Sequence, residues 1–313
     1  MVSSQAAGLV LGHISDYSQI MQEDIPKIRA FNRTVTRRLG ILNEKHLGRD
    51  RPLVESRLLF EIGAGGASVR ELRTRLGLDS GFSSRLLRRL ERKGLVRTGP
   101  AGDDGRVRVA RLTRAGLAEL QRLNALSDDL ARSMLYPLSN DQAQRLVSAM
   151  IEVDRLLRVA SVEIAPEDPD GADVRRCLQR YYEELARRFP GGFELHADDA
   201  PAADEFAPPG GCMLIARLFG EAVGCGAIRT LGPGVGEIKR MWVSPQARGI
   251  GVGGRLLQAL EREARRRKVR TVRLDTNGSL VEALRLYRTS GYRDIARYND
   301  NPYAHHWFEK TLS

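Results

Sequence analysis

Apolar positions recur every three or four residues through most of the first half of the chain, and at alternate positions through much of the second. The first spacing predicts a long helix from about Tyr17 to Leu47, with Pro26 an irregularity near its start. A second helix is predicted from about Leu53 to Ile62, stopped by Gly63-Ala-Gly-Gly66. Ser68-Val-Arg-Glu71 has the form of a capping box, in which serine and glutamate satisfy each other's orphan backbone donors, and it opens a short helix to Leu76. Gly77-Leu-Asp79 reads as a turn, and another helix runs from about Ser80 to Lys93, ended by Gly94. Leu95–Thr98 and Arg106–Leu112, joined by the glycine-rich turn Gly99–Gly105, read as a β-hairpin. Leu117, Leu120, Leu123, Leu126, Leu130 and Met134 then mark one helix. After a second capping box, Ser139-Asn-Asp-Gln142, the run Ala143, Leu146, Met150, Val153 and Leu157 repeats in steps of three and four. That is a coiled-coil-like seam, expected to be partly exposed for pairing with a second copy.

The helical pattern breaks between Ala160 and Asp173, where Ala-Pro-Glu-Asp-Pro-Asp-Gly intervenes, so two domains are expected, 1–160 and 161–313. Beyond the break, Val162–Ala165, Cys212–Leu218, Ala222–Thr230, Gly236–Val243, Val269–Leu274, Gly291–Ile295 and His305–Lys310 read as strands. A helix carrying Tyr181, Tyr182, Leu185 and Phe189 precedes Cys212–Leu218. Another runs from Ile250 to Ala264, and Ser279-Leu-Val-Glu282 is expected to cap a third through Tyr287. The expected fold is multidomain: an α-rich domain with a β-hairpin, then an α/β domain, α+β in its segregation.

Composition narrows the classes. Three cysteines, Cys177, Cys212 and Cys225, lack metal-ligand spacing and are odd in number, so neither a disulfide framework nor a metal site is expected. No apolar run approaches the roughly 20 residues of a membrane span and no signal pattern opens the sequence, so a cytoplasmic protein with no membrane partner is expected. The net charge of +11 is unevenly spread. Residues 1–160 hold 27 Lys and Arg against 18 Asp and Glu, or +9, while residues 161–313 hold 23 against 21, or +2. Residues 68–114 alone hold 13 against 5, or +8. So concentrated a basic face suits a polyanion, because each neutralised phosphate releases counterions.

That basic window coincides with the short helix, tight turn and second helix of a helix-turn-helix. Ser80, Ser83, Ser84, Arg85 and Arg88 lie on the N-terminal turns of the second helix, where bases are read. The hairpin offers Arg106 and Arg108 to a narrow minor groove or to phosphates. Ser68–Leu76, Ser83–Val96 and Asp104-Gly-Arg106 ahead of Arg111-Leu-Thr-Arg-Ala-Gly116 resemble a MarR-type winged-helix regulator, over about residues 17–158. The resemblance implies that Asp104 and Arg106 brace the wing against DNA, although Gly105 interrupts the family's usual triplet there. It further implies a homodimer through the first and last helices, bound to double-stranded DNA at a near-palindromic operator.

The most informative stretch is Val243–Leu257, which packs Gly249, Gly251, Gly253 and Gly254 between a strand and an amphipathic helix. Glycines admit a bulky anion, and the free N–H groups of a helix N-terminus point at it. Neither a dinucleotide fingerprint nor a Walker loop is present. Gln246-x-x-Gly249-x-Gly251, with Glu237-x-Lys-Arg-Met-x-Val243, Ala283–Tyr292 and the closing Trp307–Lys310, resembles the GNAT N-acetyltransferases over about residues 162–313. The resemblance implies acetyl-CoA as cofactor. Met241 and Val243 would bond its pantetheine amides, and the backbone of Arg248, Gly249, Ile250, Gly251, Val252, Gly253 and Gly254 would hold the pyrophosphate. Asn277 would approach the pantetheine arm. Direct acetyl transfer needs a base for the amine and an acid for the thiolate, and these roles fall to Glu237 and Tyr287. Arg240, Tyr298, His305 and His306 are the candidate contacts to a small primary amine, and either histidine is an alternative base. A regulator whose second domain only senses acetyl-CoA, and an enzyme whose winged helix only dimerises it, are the rival readings.

Overall fold

A computed structural model of the chain describes residues 22–41, 46–49, 51–101, 104–194 and 203–312. They form two compact units, Met1–Leu146 and Val147–Ser313. Among the described residues, no helix is long and apolar enough to cross a membrane.

In the first unit a helix spans 22–38 (α1). The expected start near Tyr17 lies outside the described residues, and the expected continuation to Leu47 is corrected: Gly40 takes φ +60, a left-handed conformation that ends the helix. There follow α2 (Leu53–Ile62), β1 (Ala67–Ser68), α3 (Val69–Leu76), α4 (Ser80–Arg92), β2 (Val96–Ala101), β3 (Asp104–Leu112) and α5 (Arg114–Leu135). The capping box opens α3 as its sequence predicts, and Gly77 ends it at φ +62. Asp79 caps α4 by accepting from the Phe82 N–H at 2.8 Å. A three-stranded sheet in the order β1-β3-β2 carries the wing, and Leu58, Leu59, Leu72, Leu86, Leu87, Leu90 and Leu123 make the core.

α6 (Asn140–Ala160) runs across the division between the units. Its second capping box is formed, the Ser139 hydroxyl accepting from the Gln142 N–H at 3.3 Å and the Gln142 amide oxygen from the Ser139 N–H at 3.0 Å. No residue of α6 is buried, so its seam is presented rather than packed away.

The second unit holds β4 (Val162–Glu167), α7 (Ala172–Arg188), β5 (Gly211–Leu218), β6 (Glu221–Gly232), β7 (Val235–Val243), α8 (Val252–Arg266), β8 (Thr271–Thr276), α9 (Val281–Thr289), β9 (Arg293–Asp294) and β10 (His306–Thr311). Their sheet runs β4-β5-β6-β7-β8-β10-β9. Side chains alternate across it. Cys212, Leu214, Ile228, Ile238, Leu274 and Phe308 pack under α8 and α9, whereas Met213, Ile215, Cys225 and Trp242 pack under α7. The expected cap at Ser279 is corrected: Leu280 precedes α9 without a side-chain cap, and the Ser279 N–H instead donates to Asn277 Oδ1 at 2.9 Å.

Two features of β7 and β8 open the sheet. They are the one parallel pair described, bonded only from Val235↔Thr271 to Glu237↔Arg273, after which they part. Arg240 sits at φ +56 where the register of β7 against β6 shifts, so the strand is bulged where it leaves its neighbour.

Candidate active site and nucleic-acid interface

The gap where β7 and β8 part is the site of the second unit. On its β7 flank a cavity of about 420 Å³ runs along Val243, Arg248, Gly249, Gly251, Val252, Gly253 and Gly254. Gly249 at φ +76 and Gly251 at φ +90 bend the chain into α8, and Gly251 caps that helix with no side chain over its free N–H groups. The loop therefore presents bare donors at the positive end of a 15-residue helix. Ile250 is turned away, its side chain buried with Val162 and Val252. The Arg248 guanidinium is committed to the Glu184 carboxylate and the Val243 carbonyl. Glu184 also accepts from Trp242 Nε1 at 2.8 Å and from Arg188 at 3.2 Å. Burial alone would raise the Glu184 carboxyl, but the bonds from Arg248, Trp242 and Arg188 win and hold it below the ordinary range.

A second cavity, of about 350 Å³, meets the first at Tyr181, Leu185, Met241, Leu280, Ala283 and Tyr287, which line both. Tyr287 donates from its hydroxyl to the Met241 thioether at 3.8 Å, a weak acceptor that a better one can replace. Burial, reinforced by Tyr181 and Asp275, pushes this phenol well above its usual value, so it stays protonated at neutral pH. The second cavity is walled by Phe189, Phe193 and Tyr303, with ring centroids 4.9 to 5.8 Å apart. Arg240 and Asn277 line it too. The Asn277 amide is engaged inward, donating to the Tyr303 carbonyl at 2.7 Å and accepting from Ser279.

The remaining site residues fall elsewhere than expected. Glu237 is fully buried and is not in the cavity wall. Its oxygens accept from Arg229 at 2.8 Å, Tyr298 at 2.8 Å and Asn299 at 3.2 Å, with Lys239 Nζ at 3.2 Å. Both of its oxygens are thus engaged by protein donors. Tyr298 stands one layer behind the wall as a partner of Glu237. His305 and His306 line neither of these two cavities. The His305 ring accepts from the Gly278 N–H at 3.2 Å, and His306 stacks on Phe308 because residues two apart on β10 share a face. Sequence reasoning missed Glu184, Lys239, Glu205 and Asp275. Asp275 had a legible signal, since it follows core Leu274 on β8 and must face the other side.

In the first unit Ser80, Arg85 and Arg88 are exposed on α4 and Ser84 is half-buried. Ser83 is corrected: it is 1% exposed, on the face of Leu86, Leu87 and Leu90, and cannot reach a base. The side chains of Asp104 and Arg106 lie outside the described residues. Arg108 is exposed and donates to Thr98 Oγ1 at 2.7 Å. Thr98 in turn donates from its backbone and hydroxyl to Glu91 of α4 at 2.9 and 2.6 Å, tying wing to helix. Beneath α4, fully buried Glu55 of α2 meets Arg89 at 3.3 Å and Lys93 at 2.7 Å.

A helix-turn-helix with a wing and a sheet splayed beside a glycine loop define a regulator domain joined to an acyl-group transferase domain. The profile described as Acetyltransferase (GNAT) family matches residues 178–292, and that of the MarR family matches residues 49–107. An uncharacterized N-acetyltransferase of Schizosaccharomyces pombe is 32% identical over 153 residues, 47% of this chain and 88% of that protein. An IAA acetyltransferase of Azospirillum brasilense is 36% identical over 136 residues, 43% of this chain and 86% of that protein. The HTH-type transcriptional repressor IacR of Pseudomonas putida is 32% identical over 89 residues, 28% of this chain and 53% of that repressor. The chain belongs to the GNAT acetyltransferase family through its second half and carries a MarR-family domain in its first.

Proposed function

We propose that residues 1–160 bind double-stranded DNA as a homodimer and that residues 161–313 move an acetyl group from acetyl-CoA to the primary amine of a small molecule. The observation that carries the enzymatic half is the pair of cavities meeting at Met241 and Tyr287. One cavity follows the uncapped glycine loop, which suits a pyrophosphate, and leads along β7, where Met241 and Val243 suit pantetheine. The other is polar and aromatic, of a size for a small acceptor. Tyr287 donates to the leaving thiolate. Glu237 acts indirectly, by fixing Arg229, Tyr298 and Asn299 around the acceptor cavity. In the first half, Ser80, Ser84, Arg85 and Arg88 face the major groove, and the wing with Asp104, Arg106 and Arg108 meets the backbone. α1 and α6 pair the copies.

The test is acetyl transfer from acetyl-CoA by the full chain across amino acids, polyamines, aromatic amines and peptides, read by thiol release and product mass. IAA is included because one relative is named for it. An acetylated small amine supports the reading. Acetyl-CoA binding without any product would instead make the second half a sensor of acetyl-CoA.

A further inference from the structure

An ammonium in the acceptor cavity needs a carboxylate in the cavity wall, and Glu237 is walled off from that cavity. Asp275 is not. It stands on β8 past the last bonded pair with β7, lines the acceptor cavity, and has a side chain 2% exposed. Its charge adds to burial in raising the phenols of Tyr181 from α7 and Tyr287 from α9, both of which line the junction. It likewise adds to burial and Glu237 in raising Tyr298, from the loop before β10. Arg229 and Arg240 are the other cations of the cavity wall, and its other carboxylates are the exposed Glu205, bonded to Arg229, and Asp300, bonded to Arg297.

Asp275 already holds a primary ammonium. Lys239 Nζ bonds Asp275 Oδ1, while Asn301 Nδ2 bonds Oδ2. The same Nζ lies 3.2 Å from Glu237 Oε1, so the lysine has a second carboxylate to move to. Lys239 is thus a built-in stand-in for an amine, with a retreat.

We propose that Asp275 is the catalytic carboxylate that receives the acceptor's ammonium in place of Lys239, which shifts onto Glu237, and takes its proton. This rests on the acetyl-transfer reading above. The ammonium gives one proton to Asp275, leaving R–NH2 and a neutral carboxylic acid. The amine nitrogen's lone pair forms the N–C bond to the thioester carbonyl, the C–S bond breaks, and the sulfur leaves with its electron pair. Tyr287 gives its proton to the sulfur and takes up the nitrogen's surplus proton, while the proton on Asp275 leaves to solvent, giving amide, thiol and a regenerated carboxylate.

The experiment compares full-length wild type, Asp275→Asn and Asp275→Glu, with the best acceptor of the amine panel. Acetyl-CoA binding and melting temperature are measured beside kcat/KM. Asp275→Asn is expected to lower kcat/KM by about 100-fold or more at pH 7 while acetyl-CoA binding is kept. Wild type should be nearly flat from about pH 6.5 to 8.5, whereas Asp275→Asn should climb about tenfold per pH unit, because only amine already deprotonated in solution then reacts. Asp275→Glu, which keeps the charge, should restore the flat profile at reduced rate and serves alone if the asparagine variant does not fold. Equal loss at every pH would reveal a merely structural ion pair and overturn the proposal, as would turnover within threefold of wild type. If wild type acetylates no amine, the enzymatic reading fails first. Asp275 is then judged by whether phenethylamine binds acetyl-CoA-saturated wild type more tightly than Asp275→Asn, and equal binding overturns it.

Discussion

Tyr287 and Ser83 show how much a single side chain's setting decides. Tyr287→Phe removes the donor but keeps the ring packed on Tyr292 and Phe308, so turnover should drop about 10- to 100-fold with acetyl-CoA binding intact. On α4, Arg85→Ala and Arg88→Ala should each weaken a duplex mobility shift and lower its salt slope by about one, while Ser83→Ala leaves it unchanged. The helical phase set by Leu86, Leu87 and Leu90 already buries position 83, so this was legible in the sequence and was obscured by serine's polarity. Glu237 was found by its motif, but its enclosure by other side chains was not legible from it. Arg229 and Asn299 reach it from β6 and a distant loop, and no spacing in the sequence announces such partners. Glu184 gives a pH prediction. Its carboxyl is depressed in the folded chain, so its stabilisation is complete above the unfolded value of about 4.3 and disappears as pH falls through the lower folded value. Glu184→Gln should therefore destabilise at neutral pH and converge with wild type in strong acid, as thermal melts across pH would show.

Most elements marked by a local device were read well. The two capping boxes and the glycine stops at Gly63 and Gly77 are local chemistry, and the structure has them where the sequence places them. The end of α1 at Gly40 was missed because apolar periodicity continued past a break made by backbone conformation, and the bare start of α9 because Ser279 and Glu282 carry a capping pattern that the structure does not use. The splay of β7 from β8 was likewise illegible, since strand periodicity says nothing of where pairing stops. At this scale two changes are informative. Gly251→Ala forces a side chain into φ +90, and the strained loop should bind acetyl-CoA about tenfold more weakly by calorimetry. Glu55→Ala strips the buried carboxylate between Arg89 and Lys93, and should cost the regulator unit about 2–4 kcal/mol in denaturant unfolding.

For the molecule as a whole, the apolar side chains α1 and α6 leave in solvent are the clearest signal of self-association. Ile151 is 65% and Leu157 62% exposed on α6, and Phe31 is 51% exposed on α1. Ile151→Asp with Leu157→Asp should convert a dimer to a monomer by light scattering, with little loss of acetyl transfer. The basic excess of +8 in residues 68–114, read from composition alone, lies on the same helices and wing that present Arg85, Arg88 and Arg108. Lys239 carries a last consequence, for the end of the catalytic cycle rather than its beginning. Acetylation turns a cationic amine into a neutral amide, which has nothing to offer Asp275 that matches the lysine's own charge. On the proposed exchange Lys239 should then return to Asp275 and displace the product, so N-acetylated amines should be poor inhibitors of this chain however well the parent amines bind.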